Sequence, residues 1–537
     1  MVTRIAAKDA ARLAGRKVAS RVAATVGPAA KKAASRAGKT ATTAAKVVRK
    51  NVTAAVSGTL GLSGERMTKV DTAWLRMDSD SNLMMITGIW VLAPGITHEA
   101  LSERVGERLL KYRRFGQKVV EDTAGATWVD DADFDIARHV VVEKLHKAAR
   151  GHEQEALQDR VAALAMQPLD RAHPLWQFHL VENYRLPDGT LGSAMIVRIH
   201  HCIADGIALI SVTMSLIDGG AAPPERAPRA QRNGPEDWLT DTLIKPFTDM
   251  TAKALGKAGE SAAQVLQILN DPQKGMAGSM DMAKVAYQVV SDLAALALMP
   301  DDSKTRLKGK PGRTKRVAWC QPIPLEEVKA VGRALNCSVN DVLLSCVAGA
   351  IGEYLKSHGD DPTGQEIRAM VPVNLRPLDQ AHKLGNRFGL APLVLPIGVD
   401  NPIERVYEVR RRMSAMKGSY QPLLAFSLLA VAGLLIKPAQ DVMLNLFGKK
   451  TTAVMTNVPG PREKIKFCGS TVEQNLFWVP QSGDVGLGVS ILSYGGGVQF
   501  GVITDSTLCP DPQAIIDEFT PEFAKLSIVT MMLPWGE

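Results

Sequence analysis

The chain has 537 residues, 46% of them apolar and 22% charged, a globular balance long enough to bury at least two cores. A small disulfide scaffold and a mainly disordered chain are excluded. The six cysteines are scattered without a C-x-x-C pair, so they form neither a zinc pattern nor a disulfide framework, and a reducing, cytoplasmic compartment is expected. The net charge of +9 is uneven: residues 1–64 hold 13 Lys or Arg and one acid, Asp9, while the remainder carries a net −3. A near-neutral body argues against a nucleic-acid-binding core.

In chain order, residues 1–65 form a basic Ala/Lys-rich arm. Arg4, Lys8, Arg12 and Arg16 recur every four residues and line one helix face, opposite mostly alanine. Four readings stand for the arm: a solvated tail, a segment drawn to anionic lipid headgroups, a nucleic-acid-binding segment or an organelle-targeting one. No apolar h-region of a secretory signal is present.

Residues 66–220 read as a first unit. Gly192–Ile199 is a short apolar run expected to be a buried strand, and Ile207–Ile217 is expected to be a helix closed by Asp218-Gly219-Gly220. Residues 221–310 open with Pro223, Pro224 and Pro228 and read as a linker with two helical patterns, near Trp238–Leu269 and Met282–Met299. Residues 311–537 read as a second unit. Val317–Trp319 is strand-like, Leu325–Leu335 helical, and Ser338 to Asp341 cap a further helix. Val485–Ser493 and Val498–Thr504 form an expected antiparallel pair around a glycine-rich turn. The alternation gives α/β, or α+β with mixed sheets. Leu423–Ile436 is the longest apolar run; at 14 residues it is too short to span a membrane and reads as a buried or surface-dipping helix.

The main chemical signal is His200-His201-x-x-x-Asp205-Gly206 on a strand-to-helix connection. A histidine takes a proton from a hydroxyl near neutral pH. Asp205 holds the loop by pairing with an arginine, or orients the imidazole. Gly206 permits a tight backbone into the helix. Cys202 reads as packing. A metal site is not expected, because no His/Cys cluster has ligand spacing.

At this motif the sequence resembles the bacterial wax ester synthase/diacylglycerol acyltransferases of the CoA-dependent acyltransferase superfamily, over roughly residues 66–530. Pro174-Leu175-Trp176 matches a PLW segment, Asn340-Asp341 an ND motif, and Val371–Arg376 and Leu384–Gly389 two further blocks. Thr456–Pro461 matches an [ST]NVPGP block, and Gly488–Ser490, Tyr494, Gly501 and Asp505 match C-terminal glycine-rich strands. The chain departs from the family pattern at Gln177, where an acid is usual, and the arm lies outside the family core.

The resemblance implies two CoA-dependent-acyltransferase-like domains joined by a helical linker, with the site in a tunnel between them. His201 is implied as general base, His200 as its neighbour and Asp205 with Gly206 as loop supports. Asn340 and Thr456 are candidates for the oxyanion donor. Pro174, Leu175, Trp176, Asp341, Asn374, Arg376 and Asn457 are substrate-binding or supporting candidates. Each block keeps a structural reading beside this: a packed turn for Pro174–Trp176, helix capping for Asn340-Asp341, an ion pair to Asp205 for Arg376, turn chemistry for Thr456–Pro461. The implied substrates are acyl-CoA with diacylglycerol or a fatty alcohol, with no cofactor or metal. The expected setting is the cytoplasmic face of a membrane or lipid inclusion. Two other classes compete. A peptide-synthesis condensation domain shares HHxxxDG but lacks the PLW and NVPGP blocks, and a non-catalytic lipid-inclusion protein has no use for the His201/Asp205 pair.

Overall fold

The structure is a computed structural model, which describes residues 64–122, 125–145, 151–223, 299–375, 384–417, 425, 429, 440 and 448–532. Residues 1–63 of the arm, the helical patterns of the linker up to residue 298, Arg376, and Leu423–Ile436 apart from Ala425 and Leu429 lie outside these residues. Residues 65–120 together with 127–537 make up one compact unit, and the fold and the site lie within it.

Two mixed sheets organise it. The first contains β1 (Met85–Ala93), β2 (Val140–Glu143), β3 (Trp176–Arg185) and β4 (Leu191–His200) from the first half of the chain. Their order is β1-β4-β3-β2, with β2 and β3 parallel and the others antiparallel. β4 is buried on both faces. Ala194 and Ile196 join the core of helix α2 (Glu153–Ala165) through Leu157 and Val161, while Met195, Val197 and Ile199 face an open cleft on the other side. That is why the segment reads as a continuous apolar run rather than an alternating one.

The second sheet carries β5 (Lys315–Trp319), β6 (Ile367–Asn374), β7 (Phe388–Leu395), β8 (Ala453–Pro459), β11 (Leu487–Tyr494) and β12 (Gly497–Asp505), in the order β7-β6-β8-β11-β12-β5. β6, β8 and β11 run parallel. The expected hairpin is β11 and β12, closed at Tyr494 opposite Gly497. Between these elements in sequence, β9 (Lys466–Phe467) and β10 (Ser470–Trp478) leave the second sheet and extend the first, β10 pairing with β1 from Thr471↔Ala93 to Trp478↔Thr87. The C-terminal half therefore lends two strands to the N-terminal sheet, and its register is fixed by that sheet.

Helices α4 (Leu325–Ala334), α5 (Val339–Ser357), α6 (Pro402–Lys417) and α7 (Pro512–Met531) contribute to the core of the second sheet, which includes Val347, Ile351, Ile491, Phe500 and Phe519. Ser338 caps α5 with a capping box closed by Asp341, so its two end donors are satisfied reciprocally. At the buried junction of α5, α6 and α7, Arg405 donates to the Ser345 and Val399 carbonyls and pairs with Glu522. No single described helix is long and apolar enough to cross a membrane.

Candidate active site

The motif loop is held from both halves of the molecule. β4 delivers His200, whose N–H donates to the Leu175 carbonyl (2.9 Å), and the His201 N–H donates to the Met84 carbonyl (2.7 Å). Pro174-Leu175-Trp176 is thus a brace for the histidine pair. Trp176 is buried opposite Ile199 and its indole N–H donates to the Phe115 carbonyl (2.8 Å). Gln177, the departure from the family pattern, sits opposite the fully buried Arg198 and accepts from its guanidinium (3.0 Å).

The two histidines have opposite fates. His200 Nδ1 accepts from the Cys202 N–H (3.2 Å), which leaves Nε2 to donate to Asp78 (3.3 Å). Both nitrogens are committed, and the tautomer is fixed. Asp78 also accepts from the Met84 N–H and from Arg171. These partners outweigh burial and hold its carboxyl below the usual range.

His201 is as buried as His200, but its Nδ1 has no hydrogen-bond partner among the described residues. Aromatic faces hold the ring instead. Trp74 of helix α1 (Lys69–Arg76) stacks on it at 4.3 Å and 14°, and Phe388 at the start of β7 lies 5.3 Å away. Burial dominates the electrostatics and lowers its pKa to about 4, although Asp205 pulls the other way. The imidazole is therefore neutral at pH 7, the state a base requires. Cys202 is buried and its thiol is pushed up by that burial, so it packs rather than reacts.

Asp205 caps helix α3 (Gly206–Leu216) by accepting from the Ala208 N–H (2.9 Å), and its second oxygen accepts from the Arg387 N–H (2.8 Å). The Leu384–Gly389 block is thus closed onto the motif loop. Ala204 bridges Gly385, which holds a φ of +102° that suits glycine. Asn386 is the central tie. Its amide donates to the His201 carbonyl (2.8 Å) and to Asp71 of α1 (2.7 Å), and its own N–H also donates to Asp71 (3.1 Å). Asp71 is almost fully buried, and burial raises its pKa despite these donors. Asn386 and Phe388 belong to the Leu384–Gly389 block, which the sequence marks without giving either residue a role; Asp71 and Trp74 carry no motif, and their i, i+3 spacing on one face of α1 is the signal available for them.

Two expectations are corrected. Gly206 has no positive φ, and a Cβ there would meet nothing within 4 Å, so a tight backbone is not its reason. It lines the cleft, and the absent side chain keeps the start of α3 open. Thr456 is buried on β8 and its hydroxyl donates to the Val489 carbonyl (3.3 Å), so its one proton is already used. Asp341 belongs to the α5 cap. Asn340 and Asn457 do meet: Asn340 accepts from the Asn457 amide (3.0 Å). Asn374 is exposed at the end of β6.

The cleft is lined almost wholly by apolar side chains. Ile86 and Trp90 of β1, Met195 and Val197 of β4, and Leu209 and Met214 of α3 form one side, and Pro459-Gly460-Pro461 closes another. β6 and β8 pair over only Ala369↔Ala453 and Met370↔Val454. The pairing thus stops short of the carboxyl ends of these parallel strands, the usual side for a ligand in such sheets.

A mixed-sheet fold of this kind is shared with solved acyl-transfer and condensation structures. The wax ester synthase/diacylglycerol acyltransferase of Marinobacter aquaeolei superposes with a TM-score of 0.60 at 20% identity, over 87% of this chain and 100% of that one. The first condensation domain of the calcium-dependent antibiotic synthetase gives 0.52 at 15% identity, over 86% and 96%. The wax ester synthase/diacylglycerol acyltransferase catalytic-domain model matches residues 67–343 and the WS/DGAT C-terminal-domain model residues 384–527. The chain belongs to this family and is an acyltransferase. A probable diacylglycerol O-acyltransferase of Mycobacterium tuberculosis is 28% identical over 457 residues, 83% of this chain and 92% of that one. Wax ester synthase/diacylglycerol acyltransferase 2 of Arabidopsis thaliana is 25% identical over 450 residues, 77% and 86%.

Replacing Asn386 by Leu removes the side-chain donor to buried Asp71 and to the His201 carbonyl while nearly keeping volume; the backbone N–H to Asp71 remains. The fold should lose on the order of 1–3 kcal/mol, since two buried acceptors lose their side-chain donor. Chemical denaturation checks this; a loss below about 0.5 kcal/mol would contradict the tie's role.

Proposed function

We propose that this enzyme transfers a fatty acyl group from acyl-CoA to the hydroxyl of a diacylglycerol or a long-chain alcohol, with His201 as general base and no resident cofactor. One observation carries the reading: a buried, neutral, aromatic-clamped imidazole stands five residues before Gly206, which lines a cleft of hydrocarbon character. Such a cleft suits an alkyl chain and repels water that would hydrolyse the thioester.

The neutral imidazole takes the proton of the acceptor hydroxyl. The oxygen attacks the thioester carbonyl, and the tetrahedral adduct collapses to the new ester as the C–S bond breaks. CoA thiolate leaves and recovers the proton from the imidazolium. The transient imidazolium is stabilised by the Trp74 face, a cation–π contact, and by Asp205 nearby. The developing oxyanion needs donors. The N–H groups of Gly206 and Ile207, in the first turn of α3, make no hydrogen bond among the described residues. As helix-terminal donors beside the cleft they fit this need. His200, with both nitrogens committed, serves as a brace.

An assay with both acceptor classes, following CoA thiol release and resolving the lipid products, tests the reading; no release with either would overturn it. His201→Ala should lower turnover about 10²–10⁴-fold or more. His200→Gln, which keeps one acceptor and one donor, and Thr456→Val should each retain rates within about tenfold. A His201→Ala variant with near-normal turnover would refute the base.

The lipid substrates call for a lipid surface, and we assign its attachment to residues 1–64 on charge alone. With mostly alanine opposite the bases, electrostatics must dominate over insertion. Sedimentation with anionic vesicles should show binding by the full chain that weakens steeply with salt, because the Debye length falls from about 10 Å at 0.1 M to about 3 Å at 1 M. A chain lacking residues 1–64 should bind far less yet turn over detergent-dispersed substrate. Equal partition of the two forms would contradict this, and selective DNA retention by the full chain would assign the arm to nucleic acid.

A further inference from the structure

A second, polar cleft lies at the N-terminus of α5, between α4 and α6. Its walls include Lys329 and Arg333, one turn apart on α4, and Arg410 of α6. Three cations here contrast with a body that is net negative. The acid among the lining residues, Asp341, already accepts from the Ser338 N–H (2.9 Å) and hydroxyl (2.7 Å) in the capping box. Lys329 has a partner in the exposed Glu326 (2.7 Å), a solvent-side pair of small worth that a stronger anion displaces. Arg333 is exposed and makes no side-chain hydrogen bond or ion pair among the described residues. The α5 terminus adds its positive end to the same space.

A hydrogen bond ties the rim of this cleft to a strand that leads to the apolar cleft. Asn340, flanked by the lining residues Val339 and Asp341, accepts from Asn457. Asn457 stands two residues before Pro459, in the wall of the apolar cleft. Its strand, β8, is separated by β6 alone from β7, which begins at Phe388 beside His201. The route from the cationic cleft to the imidazole therefore runs by way of Asn340 and Asn457.

We propose that Lys329, Arg333 and Arg410 bind the phosphate-bearing nucleotide end of acyl-CoA. The thioester arm then passes Asn340 and Asn457 to His201, and the acyl chain enters the apolar cleft. This rests on acyl-CoA being the donor. A phosphate monoester carries about −1.5 to −2 charge at neutral pH and offers three strong acceptors, which matches guanidinium forks and a lysine in a concave setting. The arrangement anchors the donor through groups remote from the chemistry, so the contacts should act on binding rather than on the chemical step.

The test compares wild type with Arg333→Ala, Arg333→Glu and the triple Lys329→Ala/Arg333→Ala/Arg410→Ala chain, each checked for an unchanged melting temperature. Donors are a long-chain acyl-CoA and the same acyl group on N-acetylcysteamine, which lacks the nucleotide. For the triple variant, KM for acyl-CoA should rise about tenfold or more with kcat little changed. KM for the truncated thioester should not move. Free CoA, titrated calorimetrically, should bind wild type in a salt-sensitive way and bind the variants more weakly in step. Should the triple variant unfold, exposed Arg333 carries the test alone. An unchanged KM for acyl-CoA, or an equal rise for both donors, would overturn the assignment. So would loss of anionic-vesicle binding with CoA binding intact, which would assign the cleft to a lipid headgroup. A wild type inert toward acyl-CoA would sink the donor reading itself, and the CoA titration would still judge this cleft.

Discussion

The Asn386 side chain holds the site together. Its amide joins a buried carboxylate on α1, Asp71, to the backbone carbonyl of His201. Because Asp71 and Trp74 share one helix face, the same tie that fixes α1 also presses the Trp74 ring onto the imidazole. Phe388 follows two residues after Asn386 and completes the aromatic enclosure. Water is excluded from the ring, its charged form is penalised, and a neutral base results. The design differs from one that orients a histidine through a carboxylate at Nδ1; here packing sets orientation, and burial sets protonation.

The division of labour between the two halves follows from strand exchange. β9 and β10 belong to the C-terminal half by sequence and to the first sheet by hydrogen bonding. Leu476 of β10 lines the apolar cleft together with Gly88 of β1 and Val197 of β4. The cleft is thus built from one sheet with two sequence origins, and the Pro459–Pro461 turn leads the chain across to it. Neither half could form this wall alone.

What was legible in the sequence was local. β4 and α3 are legible because a continuous apolar run and a closing Asp-Gly-Gly carry their own signals, and the Ser338/Asp341 cap is a four-residue pattern. The HHxxxDG and LGNRFG blocks were both visible, but not that they touch. Asn386 and Asp71 are separated by 315 residues, and Asn386 and His201 by 185, and no periodicity spans such gaps. Gly206 was read for backbone freedom, whereas its missing side chain leaves room in a cleft. Thr456 is an oxyanion-donor candidate by its type and block, but in a buried parallel strand its hydroxyl donates to the neighbouring strand's carbonyl. Both errors have one cause: residue type announces what a group can do, and only the neighbours decide which option is taken.

The most direct test of the account is an NMR titration of the His201 imidazole nitrogens in the folded, full-length enzyme, assigned by comparison with the His201→Ala chain. The account predicts a ring that is neutral at pH 7 and takes up its proton only near pH 4. A midpoint at or above the ordinary histidine value of about 6.5 would show that the ring is hydrated or paired with charge, and would contradict the claim that burial beneath Trp74 and Phe388 makes the base.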